Sequence, residues 1–300
     1  MIKTIPAKTI ITKTKKPAFW FGVDYNMNIY RGCTHGCIYC DSRSDCYRNV
    51  DFDEVKAKEN ALQIIRDDLR RKVKKGIVGT GAMSDPYNPF EQELCLTRNA
   101  LELMNAYGFG VSIATKGILI ERDTDILRDI QTHSPAIIKM TITAADDDLA
   151  KQIEPGAEAS SSRFETIRKL SNAGVFCGVL MMPILPFIND TEENIRQILH
   201  KAKEFGAKFV YPSFGMTLRQ GNREYYYSKL DELFPSTKQK YERLYGERYV
   251  CTSRNVKNLW ALFERLCNEY ELLYEMKDII HAYKKGYETA QAVQQLSLFD

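Results

Sequence analysis

The chain has 300 residues, 44% of them hydrophobic and 27% charged, and its 42 basic and 39 acidic side chains leave a net charge of +3. Such a length can bury the core of one large α/β domain or of two smaller ones, and the composition is that of an ordinary globular protein. The near balance of charge creates no global field for or against nucleic acid, and no run of about 18 apolar residues is present to span a membrane.

In chain order, residues 1–18 form a basic arm carrying Lys3, Lys8, Lys13, Lys15 and Lys16, without the apolar segment and small-residue cleavage site of a signal peptide. A reducing cytoplasm is the expected compartment, and it is where an oxygen-sensitive metal cluster would survive. Residues 19–29 are aromatic and β-branched and predict a first strand. A helix is expected from a cap at Asp51 or Asp53 to about residue 75, with Val55, Leu62, Ile65, Leu69 and Val73 on one face and Gly76 as its stop.

Strand and helix patterns then alternate. Strands are expected at 77–81, 111–115, 137–143, 175–182 and 208–214, and helices at 94–107, 124–131, 163–173 and from Asp190 or Thr191 to 205. Six such alternations imply right-handed crossovers and a parallel sheet. The spacing suits an α/β fold with a partial (β/α)6 TIM-like barrel over residues 19–215. From residue 216 the alternation stops. Residues 216–285 are expected to be a mostly helical extension, tyrosine-rich over 221–249. One long helix or two follow, with Leu259, Leu262, Phe263, Leu266, Tyr270, Leu273, Met276 and Ile280 inward. Residues 286–300 read as a polar tail.

The chemistry concentrates at Cys33, Cys37 and Cys40, spaced C-x3-C-x2-C. Soft thiolates suit iron–sulfur and zinc centres, and Gly32 and Gly36 let the loop fold closely around one. Three thiolates cannot serve all four irons of a cubane, so one iron would keep an open site. Zinc, with His35 or Cys46 as fourth ligand, is the alternative, although zinc sites usually come as two spaced pairs. Barrel sites gather at the C-terminal strand ends, and further polar groups fall there. These are Ser84 and Asp85 after the second strand, Lys116 after the third, and Thr141 with Thr143, which alternate onto one face of the fourth. Glu154-Pro155-Gly156 and Arg163 add charges of both signs.

The cysteine spacing resembles that of the radical S-adenosylmethionine (radical SAM) superfamily. With Ser84-Asp85, Thr115-Lys116, the segment from Glu154 to Arg163, and Arg248-Tyr249-Val250, the chain resembles its spore photoproduct lyase branch over residues 19–262. The resemblance implies a barrel of the radical SAM type and a [4Fe-4S] cluster on Cys33, Cys37 and Cys40. It further implies S-adenosyl-L-methionine (SAM) held by Ser84, Asp85, Lys116, Thr141, Thr143 and Arg163. Reductive cleavage of SAM to methionine and a 5′-deoxyadenosyl radical would follow, with an electron donor such as a flavodoxin or ferredoxin. Two departures separate the chain from the lyase itself. Ala82 stands where the lyase has its hydrogen-donating cysteine, and Asp41 where it has a relay tyrosine. Cys46 is a substitute donor to be weighed, and photoproduct repair by the same route is not expected.

The chain ends in Gln295, Leu296, Ser297, Leu298, Phe299 and Asp300, which resembles the short motif by which bacterial repair and replication proteins dock on the sliding clamp. The expected function is a cytoplasmic radical SAM enzyme acting on nucleic acid, at a DNA lesion or modified base. Modification of RNA, a peptide or a small metabolite is the alternative within the same chemistry. A noncatalytic adaptor bearing a metal cluster is the alternative outside it.

Overall fold

The computed structural model describes residues 2–15, 20–48, 51–72 and 74–287. Its strands among these residues are β1 (Lys3–Ile5), β2 (Ile11–Lys13), β3 (Tyr25–Met27), β4 (Tyr30–Arg31), β5 (Lys56–Lys58), β6 (Ile77–Thr80), β7 (Gly110–Thr115), β8 (Ala136–Thr141), β9 (Cys177–Met181), β10 (Val210–Pro212), β11 (Gly215–Thr217) and β12 (Val250–Thr252). The helices are α1 (Ala61–Arg70), α2 (Glu91–Leu94), α3 (Leu96–Ala106), α4 (Thr124–Gln131), α5 (Asp147–Ile153), α6 (Ser160–Asn172), α7 (Glu192–Glu204), α8 (Asn222–Leu233), α9 (Thr237–Tyr245), α10 (Val256–Glu269) and α11 (Met276–Lys284).

β7, β8 and β9 are near-continuous apolar runs buried along almost their whole length, as parallel strands covered on both faces require. The order β3-β6-β7-β8-β9-β10 places each parallel strand beside the next in the chain, and β2 adds antiparallel at the β3 edge. Tyr25 lies opposite Val78, Val78 opposite Val111, Val111 opposite Ala136, Ile138 opposite Cys177 and Val179 opposite Val210. The two ends of this run meet. The Phe21 ring, just ahead of β3, lies 5.8 Å from Phe209 and 5.5 Å from Tyr211 of β10. The sheet therefore curls into the expected open barrel.

Outside the barrel, α10 lays Leu259, Phe263 and Leu266 into the core that holds Ile195, Ile198 and Leu199 of α7. At its other end, Ile279 and Tyr283 of α11 join Phe21, Ile137 and Phe209. Each such side chain contributes about 1.5–3 kcal/mol on burial. Tyr226, Tyr241 and Tyr245 are packed in a separate core with Met216 and Leu218, so three of the six tyrosines of the tyrosine-rich stretch are core. One lysine among the described residues is sealed inside the barrel: Lys139 Nζ donates to Ser112 Oγ at 2.8 Å, and burial pulls its pKa down to about 7.

Several expectations are corrected. Residues 51–60 are not helical; β5 pairs instead with β1 and β4, Lys56 facing both Lys3 and Arg31. Two strands distant in the chain offer these residues backbone partners that a helix would forgo. β8 ends at Thr141, which leaves Thr143 beyond the strand. The loop after it contains α5, capped by Asp146, whose carboxylate accepts from the Leu149 amide at 2.8 Å. α7 does begin on Thr191, whose Oγ1 accepts from the Asn194 amide at 3.2 Å. Lys16, Val73 and the segment containing Gln295, Leu296, Ser297, Leu298 and Phe299 lie outside the described residues. Among the described residues no helix is long and apolar enough to cross a membrane.

Candidate active site

The cysteine loop follows β3 and β4 and is fixed by backbone bonds from three directions. The Cys33 amide donates to Phe52 O at 2.8 Å, the Ile38 amide to Ile153 O at 3.0 Å and the Gly156 amide to His35 O at 2.8 Å. Gly32 has φ +84°, and a Cβ there would sit 2.3 Å from the Glu54 carbonyl oxygen, so no larger residue fits. The loop opens Cys33, Cys37 and Cys40 onto one cavity of about 130 Å³, whose other walls include Ser84, Asp85, Lys116 and Thr141.

These residues are held before any ligand arrives. Ser84 Oγ donates to Gly32 O at 2.5 Å, tying the loop after β6 to the cysteine loop. Asp85 Oδ1 accepts from Thr115 Oγ1 at 2.6 Å and from the Tyr87 amide at 2.9 Å, while Oδ2 accepts from the Lys116 amide at 2.8 Å. Asp85 thus accepts three bonds from the protein itself, one of them from the Lys116 amide. His35 Nδ1 lies 3.5 Å from the same carboxylate, and burial holds the imidazole below its ordinary value.

Behind the wall is a buried charge web. Arg163 Nη1 lies 2.6 Å from Glu154 Oε2 and donates to Thr141 O at 2.9 Å; both side chains are 1% exposed. Glu154 Oε1 accepts from the Tyr39 hydroxyl and lies 3.9 Å from Lys116 Nζ. Burial opposes ionisation of Glu154, but Arg163 and Lys116 outweigh it and hold the carboxyl below its ordinary range. Burial likewise opposes charge on Lys116, and Cys37 and Glu154 keep it protonated. Arg163 therefore sits off the cavity wall, and Thr143 lies beside it, fully buried with Oγ1 3.5 Å from Glu154 Oε1.

The donor set fits an iron–sulfur cluster. Its three thiolates open onto one cavity, and a cubane takes each thiolate on a different iron. Burial pushes the Cys33 thiol up to about 11 and Cys37 to about 12, with Lys116 acting the other way on Cys37. Metal loading must release those protons, and Lys116 offsets the negative charge that results.

A larger cavity of about 600 Å³ shares Cys40, Ser42, Ala82 and Met83 with the first. Its outer walls include Phe214, Met216, Thr217, Val250 and Trp260. Ala82 brings no hydrogen donor to this shared wall. Asp41, on the wall of the larger cavity alone, accepts from the Tyr47 hydroxyl at 3.1 Å and from Thr217 Oγ1 at 3.3 Å, with Arg219 Nε at 3.6 Å. Cys46 is exposed and lines neither cavity; its sulfur accepts from Arg219 Nη1 at 3.3 Å. Sequence reasoning missed the roles of Tyr39, Phe52 and Gly81. Of these, Gly81 carried a signal, a glycine directly after a strand.

Comparison with known proteins agrees with this geometry. The family model of the radical SAM superfamily matches residues 27–202. An uncharacterized protein of Mycobacterium tuberculosis is 31% identical over 228 residues, 74% of this chain and 67% of that one. An uncharacterized protein of Methanocaldococcus jannaschii is 31% identical over 213 residues, 70% of this chain and 76% of that one. In fold the chain is similar to a spore photoproduct lyase variant solved with bound AdoMet and dinucleoside spore photoproduct. That match has a TM-score of 0.62 at 14% identity and covers 87% of this chain and 76% of the lyase. The chain belongs to the radical SAM superfamily and is a radical SAM enzyme, whose cofactors are a [4Fe-4S] cluster and SAM.

Proposed function

We propose that this enzyme acts on nucleic acid, taking one nucleotide of a DNA lesion or modified base into the larger cavity. The observation that carries this reading is the rim of that cavity, where Trp260 is 37% exposed and Val250 54% exposed. Next to Val250, Tyr249 is exposed, and its hydroxyl accepts from Arg219 Nη2 at 2.7 Å. Exposed aromatic faces beside a cation offer bases a stacking platform. The lyase of similar fold was solved with a dinucleoside, which supports the same substrate class.

Cys33, Cys37 and Cys40 would hold the cluster. When bound, the cluster and SAM supply one-electron cleavage of SAM and hydrogen-atom abstraction from the substrate. Lys116, kept protonated and fixed through Asp85, would pair with the SAM carboxylate. The Thr141 hydroxyl, on the same wall, would take a ribose hydroxyl, and Ser84 holds the loop in register. Thr143, Arg163 and Glu154 act at one remove, by setting the position and charge of Lys116. The required electron would come from a flavodoxin or ferredoxin in a reducing cytoplasm. The proposed division is a basic arm at 1–18, which lends β2 to the sheet, the barrel at 19–215, the extension at 216–285 and a tail at 286–300, whose residues 295–299 would engage a sliding clamp.

Anaerobically reconstituted enzyme with reductant and SAM should release 5′-deoxyadenosine faster when damaged or modified DNA is added. Stimulation by RNA, peptide or metabolite mixtures, and not by DNA, would move the assignment to that alternative. Absence of SAM cleavage by fully loaded enzyme would leave only the adaptor reading.

A further inference from the structure

Just past β12 lies a second recess, of about 520 Å³, lined by Phe187, Lys240, Arg243, Leu244 and Arg254. Its walls come from the turn before α7, from α9 and from the segment after β12, and these are fastened together. The Phe187 amide donates to Asp190 Oδ1 at 2.7 Å, and Asp190 Oδ2 accepts from Ser253 Oγ at 2.6 Å. Asp190 therefore ties the turn bearing Phe187 to the segment bearing Arg254.

The recess is one-sided in charge. Lys240, Arg243 and Arg254 are exposed, the lining contains no carboxylate, and none of the three cations is in an ion pair among the described residues. Elsewhere on the same extension some cations are matched: Lys238 lies 2.7 Å from Asp231, Lys229 2.7 Å from Glu232 and Arg223 3.6 Å from Glu247. What sets the recess apart is that three cations converge on one concavity with no acid in its lining. Exposed cations with no carboxylate partner, Lys240 lying 5.9 Å from the Phe187 ring centre, are what a sugar–phosphate backbone meets in its binding grooves.

One segment serves both hollows. Val250 and Thr252 of β12 line the cavity, and Arg254, in the turn two residues past the strand, lines the recess. A nucleic-acid strand that leaves the cavity along β12 reaches Arg254 next.

We propose that this recess grips the phosphate backbone of the nucleic acid on one side of the nucleotide lodged in the large cavity. The inference rests on the nucleic-acid reading above and adds where the polymer is held. A local grip also removes any need for a strongly basic chain.

The test is binding of a fluorescein-labelled single-stranded oligonucleotide to the full-length reconstituted enzyme, followed by anisotropy across a salt series. Wild type is compared with R243Q/R254Q and with K277Q/K285Q, which removes the same charge from α11 and its C-terminal end. R243Q/R254Q should bind at least tenfold more weakly, with the log–log salt slope reduced by about 1.4, or roughly 0.7 for each phosphate of a single strand that is no longer neutralised. SAM cleavage without oligonucleotide should be unchanged, which reports an intact fold, and K277Q/K285Q should bind like wild type. Equal affinity and slope in wild type and R243Q/R254Q overturn the recess and leave the nucleic-acid reading standing. Equal weakening in both double variants overturns it as an effect of net charge. A wild type that binds no oligonucleotide overturns both readings.

Discussion

Glu154 and Arg163 face each other at 2.6 Å in full burial directly behind the cysteine loop. Glu154 carries the contact forward, taking the Tyr39 hydroxyl from the loop itself and lying within 3.9 Å of Lys116. A carboxylate outside the cavity thereby sets the charge of the cation inside it. Breaking a buried pair from one side strands the other charge, at a cost of about 3–5 kcal/mol. Glu154→Gln should lower the free energy of unfolding by about that amount and reduce the iron retained after reconstitution. Urea denaturation and iron analysis measure the two effects. Full stability and full iron content would show that the pair is dispensable.

Lys116→Met removes the cation from the cavity wall while keeping the length of the side chain. A charge-assisted bond contributes about 1.5–3 kcal/mol, so SAM should bind about 10- to 100-fold more weakly, by equilibrium dialysis of the iron-loaded protein. Lys116→Arg keeps the charge but not the point-like shape and should recover part of that loss. If the methionine variant binds SAM normally, Lys116 is not a SAM ligand.

Gly81→Ala tests the back of the cluster cavity. Gly81 has φ +93°, and a Cβ would fall 1.8 Å from the Ala114 carbonyl oxygen. Left-handed strain costs about 1–3 kcal/mol before any clash. The variant should lose its cluster absorbance or fail to accumulate as folded protein. A variant that loads iron normally would mean that β6 and β7 can part there.

Asp68 ties the N-terminal segment to α1 by accepting from the Ile10 amide at 2.8 Å and the Ile11 amide at 2.9 Å. Burial opposes its ionisation, yet these amide bonds hold its pKa below the ordinary 3.8. A depressed carboxylate contributes stability above its unfolded pKa and loses it as pH falls through the folded value. Asp68→Asn should therefore cost about 1–2 kcal/mol at neutral pH, and the gap from wild type should close as the pH drops below that ordinary value. Urea midpoints across that range give the comparison; a gap that stays constant would assign the effect to shape.

Much of the barrel was legible in the sequence because its strands are buried on both faces, and helices such as α4 show a full apolar stripe. Residues 56–58 were not legible. Their strand exists only because β1 and β4 supply backbone partners from elsewhere in the chain, and no local pattern encodes that. The cysteine motif was legible because its chemistry depends on spacing alone. Arg163 and Glu154 could be recognised as charged groups near the right loop, but their pairing depends on α6 turning Arg163 back under β8. The rim built by Val250 and Trp260 joins a strand to a helix, so it exists only in three dimensions.

The two cavities share a wall, and that wall is bolted to the extension. Asp41 bonds to Thr217 of β11, Asn222 Nδ2 donates to Cys40 O at 3.1 Å, and the Asp45 amide donates to Gln220 O at 3.1 Å. A molecule that shifts β11 must also shift the segment holding Cys40. Linkage makes such an effect reciprocal: whatever factor the substrate applies to SAM affinity, SAM applies to substrate affinity. A substrate that moved β11 would thus be felt at Cys40, and SAM would be felt at β11 in equal measure.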